Sequence, residues 1–524
     1  MPLQYADDTI LFSSAEFPHL VNLKHVIMWF EQISGMRVNF RKSELLTLNL
    51  DEVEIKRAAS IISCPIGAFT IKYLGVPQHY DNLTREDLQP LVDKLLSRIA
   101  GWRGKLLSLA ARTLLIKTCL ASILIYLLSF IKFPKWAIQI LNSHMGNCLW
   151  NDLNDAHKYH LANWEFVAMS KDFGGLGVPN LRDSNICLLA SWLRRYEKDK
   201  NKLWTEILDF KYNTKDPNIL QTRGASPFFK GFMWAVQAAK MGYRWVIGNG
   251  EKVRFWEDNW LGTSSLAIQY WKLYRWVNEK NKSVASLWDG TDLKCSFSRM
   301  GDENMLELWE EVCQIASTIN YSDEEDSMVW QFSSNGRFNV QSFYKVVNFR
   351  GIQPVFISSL WDIKIPPRVQ YFLWLLSKNK LLTRDNLSKR RKVEDPTCSF
   401  CNEESIQHLF FTCVVAKQLW HVFSKTFDIH QLIVSFEDTG KFWLSNKCNG
   451  ILNMFTLAAV WCLWKLRNDL CFQRSTWKSM AILLFQVAVM VEKWKILYPE
   501  EEVISQKVKL FKKEAAQVLW LQWR

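Results

Sequence analysis

The sequence lacks an uncharged run long enough to cross a bilayer. The longest uncharged stretches, residues 118–131 and 448–464, fall short of the roughly 20 apolar residues that a spanning helix needs, so we expect two buried helices. The first residues also lack the basic and apolar segments of a secretory leader. These absences predict a nuclear or cytoplasmic protein that is neither secreted nor in a membrane. In such a reducing compartment the 12 cysteines indicate metal binding more often than disulfides.

Acidic residues are too few to balance the basic ones. The chain has 65 lysines and arginines against 52 aspartates and glutamates, a formal net charge of +13. Such an excess favours a polyanionic partner, most often nucleic acid, although it is also compatible with an ordinary solvated surface. With 524 residues, 48% of them hydrophobic, the chain is long enough for three or four domains with buried cores. Most of the 26 tryptophans must therefore be core residues.

Two adjacent carboxylates lie in the first predicted hairpin. Residues 3–12 alternate as a short strand, a tight turn with Asp7 and Asp8, and a second apolar strand. A rigid turn that exposes two carboxylates is suited to magnesium, which prefers hard oxygen ligands and keeps positions open for phosphate and water. Taken alone, an Asp-Asp turn is more often a solvated loop.

The next segments predict a regular order of helices and strands. A helical pattern over residues 17–34 ends at Gly35, and a turn and strand follow up to Leu45. Residues 71–77 form an apolar strand broken by glycine and proline, and residues 86–99 carry one apolar helical stripe. A longer helical region then contains Lys105, Arg112 and Lys117. The glycine-rich segment 171–178 lacks the ending of a phosphate-binding loop, so we expect a flexible connection there.

The tryptophan-rich middle of the chain predicts hairpins. Residues 243–247 and 253–256 flank a Gly-Asn-Gly-Glu turn, and residues 328–332 and 338–340 flank a Ser-Ser-Asn-Gly turn. Asn-Gly between such segments is a strong hairpin signal, because both central residues must accept a positive φ.

A compact set of metal-binding side chains follows. Cys398, Cys401, His408 and Cys413 have the spacing C-x2-C-x6-H-x4-C. Three thiolates and one imidazole supply four ligands for tetrahedral zinc with no open position, which is the composition of a structural site. A basic run, Lys389, Arg390, Arg391 and Lys392, precedes the first cysteine. It is compatible with contacts to a nucleic-acid backbone, but equally with a solvated helix end or a nuclear localisation signal.

In this order the segments resemble the reverse transcriptase of non-long-terminal-repeat, or LINE-type, retrotransposons. The resemblance rests on the Tyr-Ala-Asp-Asp turn, the 71–77 hairpin and the zinc constellation. It implies an α+β chain with a partial polymerase palm (1–80), a helical thumb (81–199), a tryptophan-rich hairpin connector (200–325), a zinc-binding domain (326–425) and a helical C-terminal region (426–524).

The resemblance also implies residue roles. Asp7 and Asp8 correspond to the catalytic magnesium ligands, and RNA and DNA, as primer and template, are the implied partners. Lys105, Arg112 and Lys117 stand where the family's thumb grips the duplex, although a solvated basic face is equally compatible with them. No spaced acids of a ribonuclease H and no endonuclease motif are found in the sequence.

Part of the polymerase that the resemblance implies has no counterpart in the sequence. The third catalytic aspartate, the fingers and the nucleotide pocket would all lie before Met1. We therefore expect a truncated RNA-directed DNA polymerase that is inactive alone, with structural zinc, and with magnesium only if the polymerase site is completed. The alternatives are a non-catalytic, zinc-dependent nucleic-acid-binding or interaction protein, and a relic without selected function.

Overall fold

The computed structural model describes residues 2–67, 72–77, 84–101, 107–150, 159–199, 201–212, 224–299, 303–351, 355–393, 395–401, 404–430 and 433–517. Within these ranges the fold is mostly helical. The α-helices are α1 (Phe17–Ser34), α2 (Glu52–Ile62), α3 (Arg85–Gly101), α4 (Leu109–Leu115), α5 (Ala121–Leu128), α6 (Lys135–Trp150), α7 (Trp164–Val167), α8 (Leu181–Lys198), α9 (Leu203–Tyr212), α10 (Pro227–Ala239), α11 (Leu266–Gln269), α12 (Trp271–Tyr274), α13 (Val284–Leu287), α14 (Glu303–Ser317), α15 (Val340–Val347), α16 (Val355–Leu360), α17 (Pro367–Ser377), α18 (Arg384–Ser388), α19 (Val414–Phe427), α20 (Phe436–Lys441), α21 (Asn446–Cys471), α22 (Met480–Trp494) and α23 (Glu501–Gln517).

Strands are few and short in the described part of the chain. They form three antiparallel pairs: β1 (Pro2–Tyr5) with β2 (Asp8–Leu11), β3 (Lys72–Tyr73) with β4 (Val76–Pro77), and β5 (Tyr243–Val246) with β6 (Ser327–Trp330). The first two pairs are the hairpins that the sequence predicts at residues 3–12 and 71–77, although residue 71 lies outside the described ranges. The fold-class prediction is thus confirmed only in part, because the palm and thumb assignments stay predictions.

The chain divides into two compact units, residues 1–89 with 222–227, and residues 90–221 with 228–524. The first unit has a small core of Leu20, Ala58 and Ile62, where α1 packs on α2. Helix α1 ends at Gly35, whose φ of 71° lies in the left-handed region that glycine adopts without strain. The predicted helix over residues 17–34 is confirmed.

The strand predicted between Ser34 and Leu45 is wrong. The Asn39 side chain accepts hydrogen bonds from the backbone N–H groups of Arg41 and Lys42, and this local turn competes with an extended backbone. Leu45 makes only a single parallel bridge, to Ile66.

In the second unit, α8 lies at the centre of one core. It packs against α5 and α15, and the buried residues Leu189, Ala235, Trp330 and Phe343 belong to the same apolar cluster. A second cluster, rich in aromatic residues, includes Phe255, Trp256, Trp260 and Trp288. The expectation that tryptophans are mainly core residues holds for these side chains.

Of the two Asn-Gly hairpins predicted in the tryptophan-rich region, the first is wrong and the second is confirmed only as a turn. Strand β5 pairs with β6, about 80 residues further along the chain, instead of with residues 253–256. Gly250 has a positive φ of 73°, but Asn249 does not have the positive φ that a two-residue hairpin turn requires. The loop after β5 wraps around the buried Asp326 carboxylate. This carboxylate accepts hydrogen bonds at 2.7–3.3 Å from four backbone N–H groups of the loop.

The second predicted hairpin has its turn but not its second strand. The Gly336 N–H donates to the Ser333 carbonyl at 3.1 Å and the Trp330 N–H donates to the Gly336 carbonyl at 2.8 Å, and a helix cap then replaces the strand. After β6, the Asn339 side chain accepts a hydrogen bond of 2.8 Å from the Gln341 N–H group and begins α15. Capping by asparagine therefore prevails over the strand propensity of the neighbouring apolar residues. Strand β6 also depends on a close contact, because a Cβ at Gly242 would lie 2.3 Å from the Trp330 ring.

The longest apolar helical stretch is part of the second unit. Residues 109–128 comprise α4, a π-helical turn at Ile116–Leu120 and α5, and they are long and apolar enough by composition to cross a membrane. Their helices pack against α6, α8 and α17, but only 39% of this stretch is buried, so the buried helix that the sequence predicts is confirmed only in part. The other predicted buried helix lies in α21, where Met454 through Val460 are buried.

The glycine-rich segment 171–178 is closely packed. Leu176 and Val178 are buried, and a Cβ at Gly175 would lie 2.1 Å from the carbonyl oxygen of Met169. The expected flexible connection is therefore an integral part of the core.

Candidate metal centre and nucleic-acid contacts

The four predicted zinc ligands come from three local structures. Cys398 and Cys401 lie in the loop after α18, and His408 begins a π-helical turn, His408–Thr412. Cys413 is the N-cap residue of α19, with φ −59° and ψ 146°. Its backbone N–H donates to the His408 carbonyl at 2.7 Å, so the turn fixes the spacing between the last two ligands.

Their ligand atoms converge in one place. The four atoms lie within 4.8 Å of one another; the Cys413 Sγ is 3.5 Å from the Cys401 Sγ and 4.0 Å from the Cys398 Sγ, and the His408 Nε2 is 3.0 Å from the Cys401 Sγ. Zinc–sulfur bonds of about 2.3 Å require sulfur–sulfur separations of about 3.8 Å in a tetrahedron. The donor set and its spacing thus suit zinc.

The two buried thiols shift each other's ionisation in opposite directions. A hydrogen bond from the Cys413 thiol lowers the pKa of Cys398, and the same contact raises the pKa of Cys413. Cys398 and Cys413 are buried, and Cys401 and His408 are half-buried. Such a closed set of four protein ligands is typical of a structural site.

A buried ion pair connects the zinc-ligand loop to α21. Glu404 lies between the second cysteine and the histidine, and its Oε1 accepts hydrogen bonds from Arg467 Nη2 at 2.6 Å and Nε at 3.0 Å. The same oxygen accepts from the backbone N–H of Arg384 at 2.9 Å. Glu404 and Arg467 line one small cavity with Cys398 and Cys413. The ion pair therefore attaches the ligand loop to α21, in addition to the contacts among the zinc ligands.

Sequence reasoning missed the role of Glu404. The sequence around its partner gives no signal, because Arg467 stands between Lys465 and Asp469 as in a solvated helix end, whereas the structure shows it largely buried. A buried arginine almost always has a partner, and the nearby ligand loop contains acids.

The predicted magnesium ligands lie on the surface. Asp7 belongs to the turn between β1 and β2, and Asp8 begins β2; both are exposed. Among the described residues, the Cys398 cluster is the one group of three or more potential metal ligands, so neither aspartate has a third ligand beside it there.

The predicted thumb cations lie in different environments. Lys105 falls outside the described residues. Arg112 is half-buried, and its guanidinium donates to the carbonyl oxygens of Leu107 at 3.1 Å and Leu149 at 3.4 Å, so at least part of this side chain stabilises the fold. Burial lowers the pKa of Lys117 to about 8, with a contribution from nearby Lys171.

The basic run before the first cysteine is exposed at all four residues. Lys389 donates to the Asn386 side chain at 3.1 Å, and Arg390 donates to the His160 carbonyl at 3.3 Å and lies 5.4 Å from the Tyr159 ring. The run follows α18 directly, and it leaves cationic groups accessible to a partner.

Comparison with known proteins agrees with this geometry. Residues 338–420 match the protein family described as zinc-binding in reverse transcriptase. The chain contains a reverse transcriptase zinc-binding domain. All four predicted ligands lie inside the matched range, so the resemblance inferred from the sequence is confirmed for this domain.

The chain is also similar to a distant relative among known proteins. A protein of Arabidopsis thaliana named "Putative ribonuclease H protein" is 26% identical over 359 residues, which cover 66% of this chain and 57% of the relative. The chain thus matches less than two thirds of the length of that relative.

Proposed function

We propose that this chain is the nucleic-acid-binding portion of a LINE-type reverse transcriptase, held together by one structural zinc ion. The observation that carries the proposal is the convergence of three thiols and one imidazole at zinc-like separations within a reverse transcriptase zinc-binding domain. The ion would be held by Cys398, Cys401, His408 and Cys413. It would supply folding free energy and leave no position for a substrate.

The proposed ligand is a primer–template hybrid of RNA and DNA, bound mainly through its phosphates. The net charge of +13 and the exposed basic run before Cys398 support it, because phosphate contacts from lysine and arginine dominate such binding. The proposed location is the nucleus or cytoplasm, where a retroelement polymerase would meet its template.

The test combines two measurements on one sample: zinc content by elemental analysis, and affinity for an RNA–DNA hybrid over a salt series. We expect one zinc per chain and an affinity that falls steeply as salt rises. Absence of zinc, together with absent or salt-insensitive binding, would refute the proposal.

DNA synthesis requires more than the β1–β2 turn offers. A two-metal mechanism needs carboxylates that hold both ions between primer and nucleotide, and Asp7 and Asp8 have no third ligand beside them in the described part. Two exposed carboxylates bind magnesium weakly, because this ion gives up its waters reluctantly. We propose that the chain alone does not extend a primer; extension by purified protein with Mg²⁺, abolished by Asp8→Asn, would contradict this.

The second candidate is a non-catalytic nucleic-acid-binding or interaction protein. The exposure of both β1–β2 carboxylates favours it. In that case Asp7→Ala leaves zinc content and hybrid binding unchanged, whereas Cys398→Ser weakens hybrid binding. A loss of function in cells with Asp7→Ala would argue for the polymerase role.

A further inference from the structure

A groove of about 1720 Å³ follows one face of α8. The lining residues of that helix include Leu188, Trp192, Arg195 and Lys198, spaced by three or four positions as one helical face requires. The other walls are the end of α5, the loop between β6 and α15, and α15 itself. The groove is larger than the roughly 300–1,000 Å³ of small-molecule sites, which favours an extended ligand.

The groove carries positive charge without a counter-charge. Its lining includes five cations and no aspartate or glutamate; they are Arg194, Arg195, Lys198, Arg337 and Lys345. All five are exposed, and none forms an ion pair with a residue that the structure describes. A concave surface of one charge sign concentrates ligands of the opposite sign. The chemistry therefore favours a polyanion.

Aromatic side chains line the groove together with these cations. Six aromatic side chains line the groove, namely Tyr126, Phe130, Trp192, Phe332, Phe338 and Phe349. Phe349 is 62% exposed and Phe332 is 45% exposed, while the Arg195 guanidinium lies 4.6 Å from the Trp192 ring. A polyanion that also has planar groups could bind both the cations and the aromatic rings. Unpaired nucleotides are such ligands, because they combine phosphates with exposed base faces. A duplex keeps its base faces stacked inside.

We propose that this groove binds single-stranded nucleic acid, with phosphates on the cations and bases stacked on Phe349 and Phe332. The site adds to the proposed function and does not depend on it, because α5, α8 and α15 form it without the zinc ligands or Asp7 and Asp8. None of its five cations is among the seven predicted from the sequence.

Charge reversal tests the phosphate contacts. Labelled oligo(U) and oligo(dT) of equal length are titrated by fluorescence anisotropy over a salt series against Arg195→Glu/Lys345→Glu. The matched control, Lys509→Glu/Lys513→Glu, changes the net charge equally at two exposed positions of α23. We expect the groove variant to lose about tenfold or more in affinity with a shallower salt slope, and the control to change little.

The two oligonucleotides identify the source of the strand. Equal affinity means that the shared backbone and bases are recognised, and a preference for oligo(U) means that the 2′-hydroxyl contributes; both outcomes support the site. Equal losses in the groove variant and the control would overturn it. Competition by polyglutamate as effective as that by oligo(U) would overturn it too, since the groove would then recognise charge alone.

Phe349→Leu tests stacking, and Phe472→Leu is its control, because both rings are 62% exposed. We expect the first variant to weaken oligo(U) binding about fivefold or more with an unchanged salt slope, and the second to have no effect. An unchanged affinity of Phe349→Leu would refute the stacking geometry.

Photocrosslinking locates the strand on the unaltered protein. Oligo(U) that contains 4-thiouridine should label peptides from residues 188–198 and 332–349. Labelling confined to other peptides would overturn the assignment. The RNA–DNA hybrid separates this inference from the proposed function: absence of zinc and of salt-dependent hybrid binding, with oligo(U) binding retained, would refute only the latter. Equal losses of both ligands in the groove variants would refute only the preference for single strands.

Discussion

Glu404→Gln should destabilise the zinc-binding domain without changing a single zinc ligand. Glu404 is 2% exposed and Arg467 is 6% exposed, and the carboxylate is the only acid within salt-bridge distance of that guanidinium among the described residues. The substitution keeps the size of the side chain but removes its charge. It therefore leaves a buried guanidinium without a counter-charge.

The magnitude follows from the contacts that remain. Removal of one partner from a buried ion pair typically costs about 3–5 kcal/mol. Arg467 keeps a hydrogen bond to the Asn468 side chain at 3.0 Å and lies 5.2 Å from the Trp464 ring, so we expect a loss near the lower limit, about 3 kcal/mol. Zinc binding supplies on the order of 10–16 kcal/mol, and the variant should still fold and bind zinc.

The assay is urea unfolding of the full chain at constant free zinc, followed by release of the ion. Release should begin at a lower urea concentration in Glu404→Gln than in the unaltered protein. Glu500→Gln, at an exposed position, is the surface control and should behave normally. Glu404→Met/Arg467→Met removes both charges and should recover most of the lost stability, because an apolar pair of similar volume often replaces a buried ion pair without loss.

Two results would refute this reasoning. An unchanged midpoint in Glu404→Gln would mean that water or a relaxed backbone compensates for the missing charge. A double variant as unstable as the single one would assign the stabilisation to the contacts of Glu404 with Arg384, namely its backbone hydrogen bond and an ion pair of 3.8 Å, instead of to the pair with Arg467.

Three further predictions concern the rest of the chain. Cys398→Ser should abolish stoichiometric zinc binding and expose residues 398–517 to limited proteolysis, whereas Cys448→Ser, at an exposed cysteine outside the cluster, should do neither. Asp326→Asn should lower the free energy of unfolding by about 3 kcal/mol, since two of the four backbone N–H donors would face an amide nitrogen that cannot accept and the other two would keep only a neutral acceptor. Exposed Asp323→Asn is the control, and equal urea midpoints for Asp326→Asn and the unaltered protein would contradict the prediction. Lys117 is charged in the unfolded chain up to its ordinary pKa of 10.5 but in the folded protein only up to about 8, so its burial opposes folding at neutral pH and ceases to do so above 10.5. Lys117→Met should therefore be more stable than the unaltered protein at pH 7 and equally stable above pH 10.5; equal thermal midpoints at pH 7 would refute this.

The features that the sequence predicts correctly depend on local signals. Helix α1 ends at Gly35 because glycine adopts the left-handed conformation that commonly terminates a helix. The turn at residues 6–7 is indicated by the two short apolar strands on either side of it. The zinc ligands are also recognisable, because the spacing of the cysteines and the histidine can be read directly from the sequence. In each case the information lies within about twenty residues.

The features that the sequence predicts wrongly depend on distant partners. The Asn-Gly signal at residue 249 is a sound local indication of a hairpin, but β5 pairs with β6 because the Asp326 carboxylate draws the loop backbone around itself. Likewise, the groove beside α8 joins cations from positions 194–198 with others at 337 and 345. No local sequence pattern indicates that these segments are neighbours, because their proximity results from the packing of α8 on α15.

The contributions of the zinc ligands and of the buried ion pair to stability should be coupled and not additive. Both require an ordered loop from Cys398 to Cys413: the ligands close it, and Glu404 within it reaches Arg467 of α21. Cys413 also begins α19, which packs against α21, α22 and α23. If the loop unfolds without zinc, Arg467 returns to water and gains nothing from Glu404, so the effect of Glu404→Gln should disappear in the zinc-free protein. Residues within one network show such coupling, and one ion thereby controls whether a charge pair outside its ligand set contributes to stability.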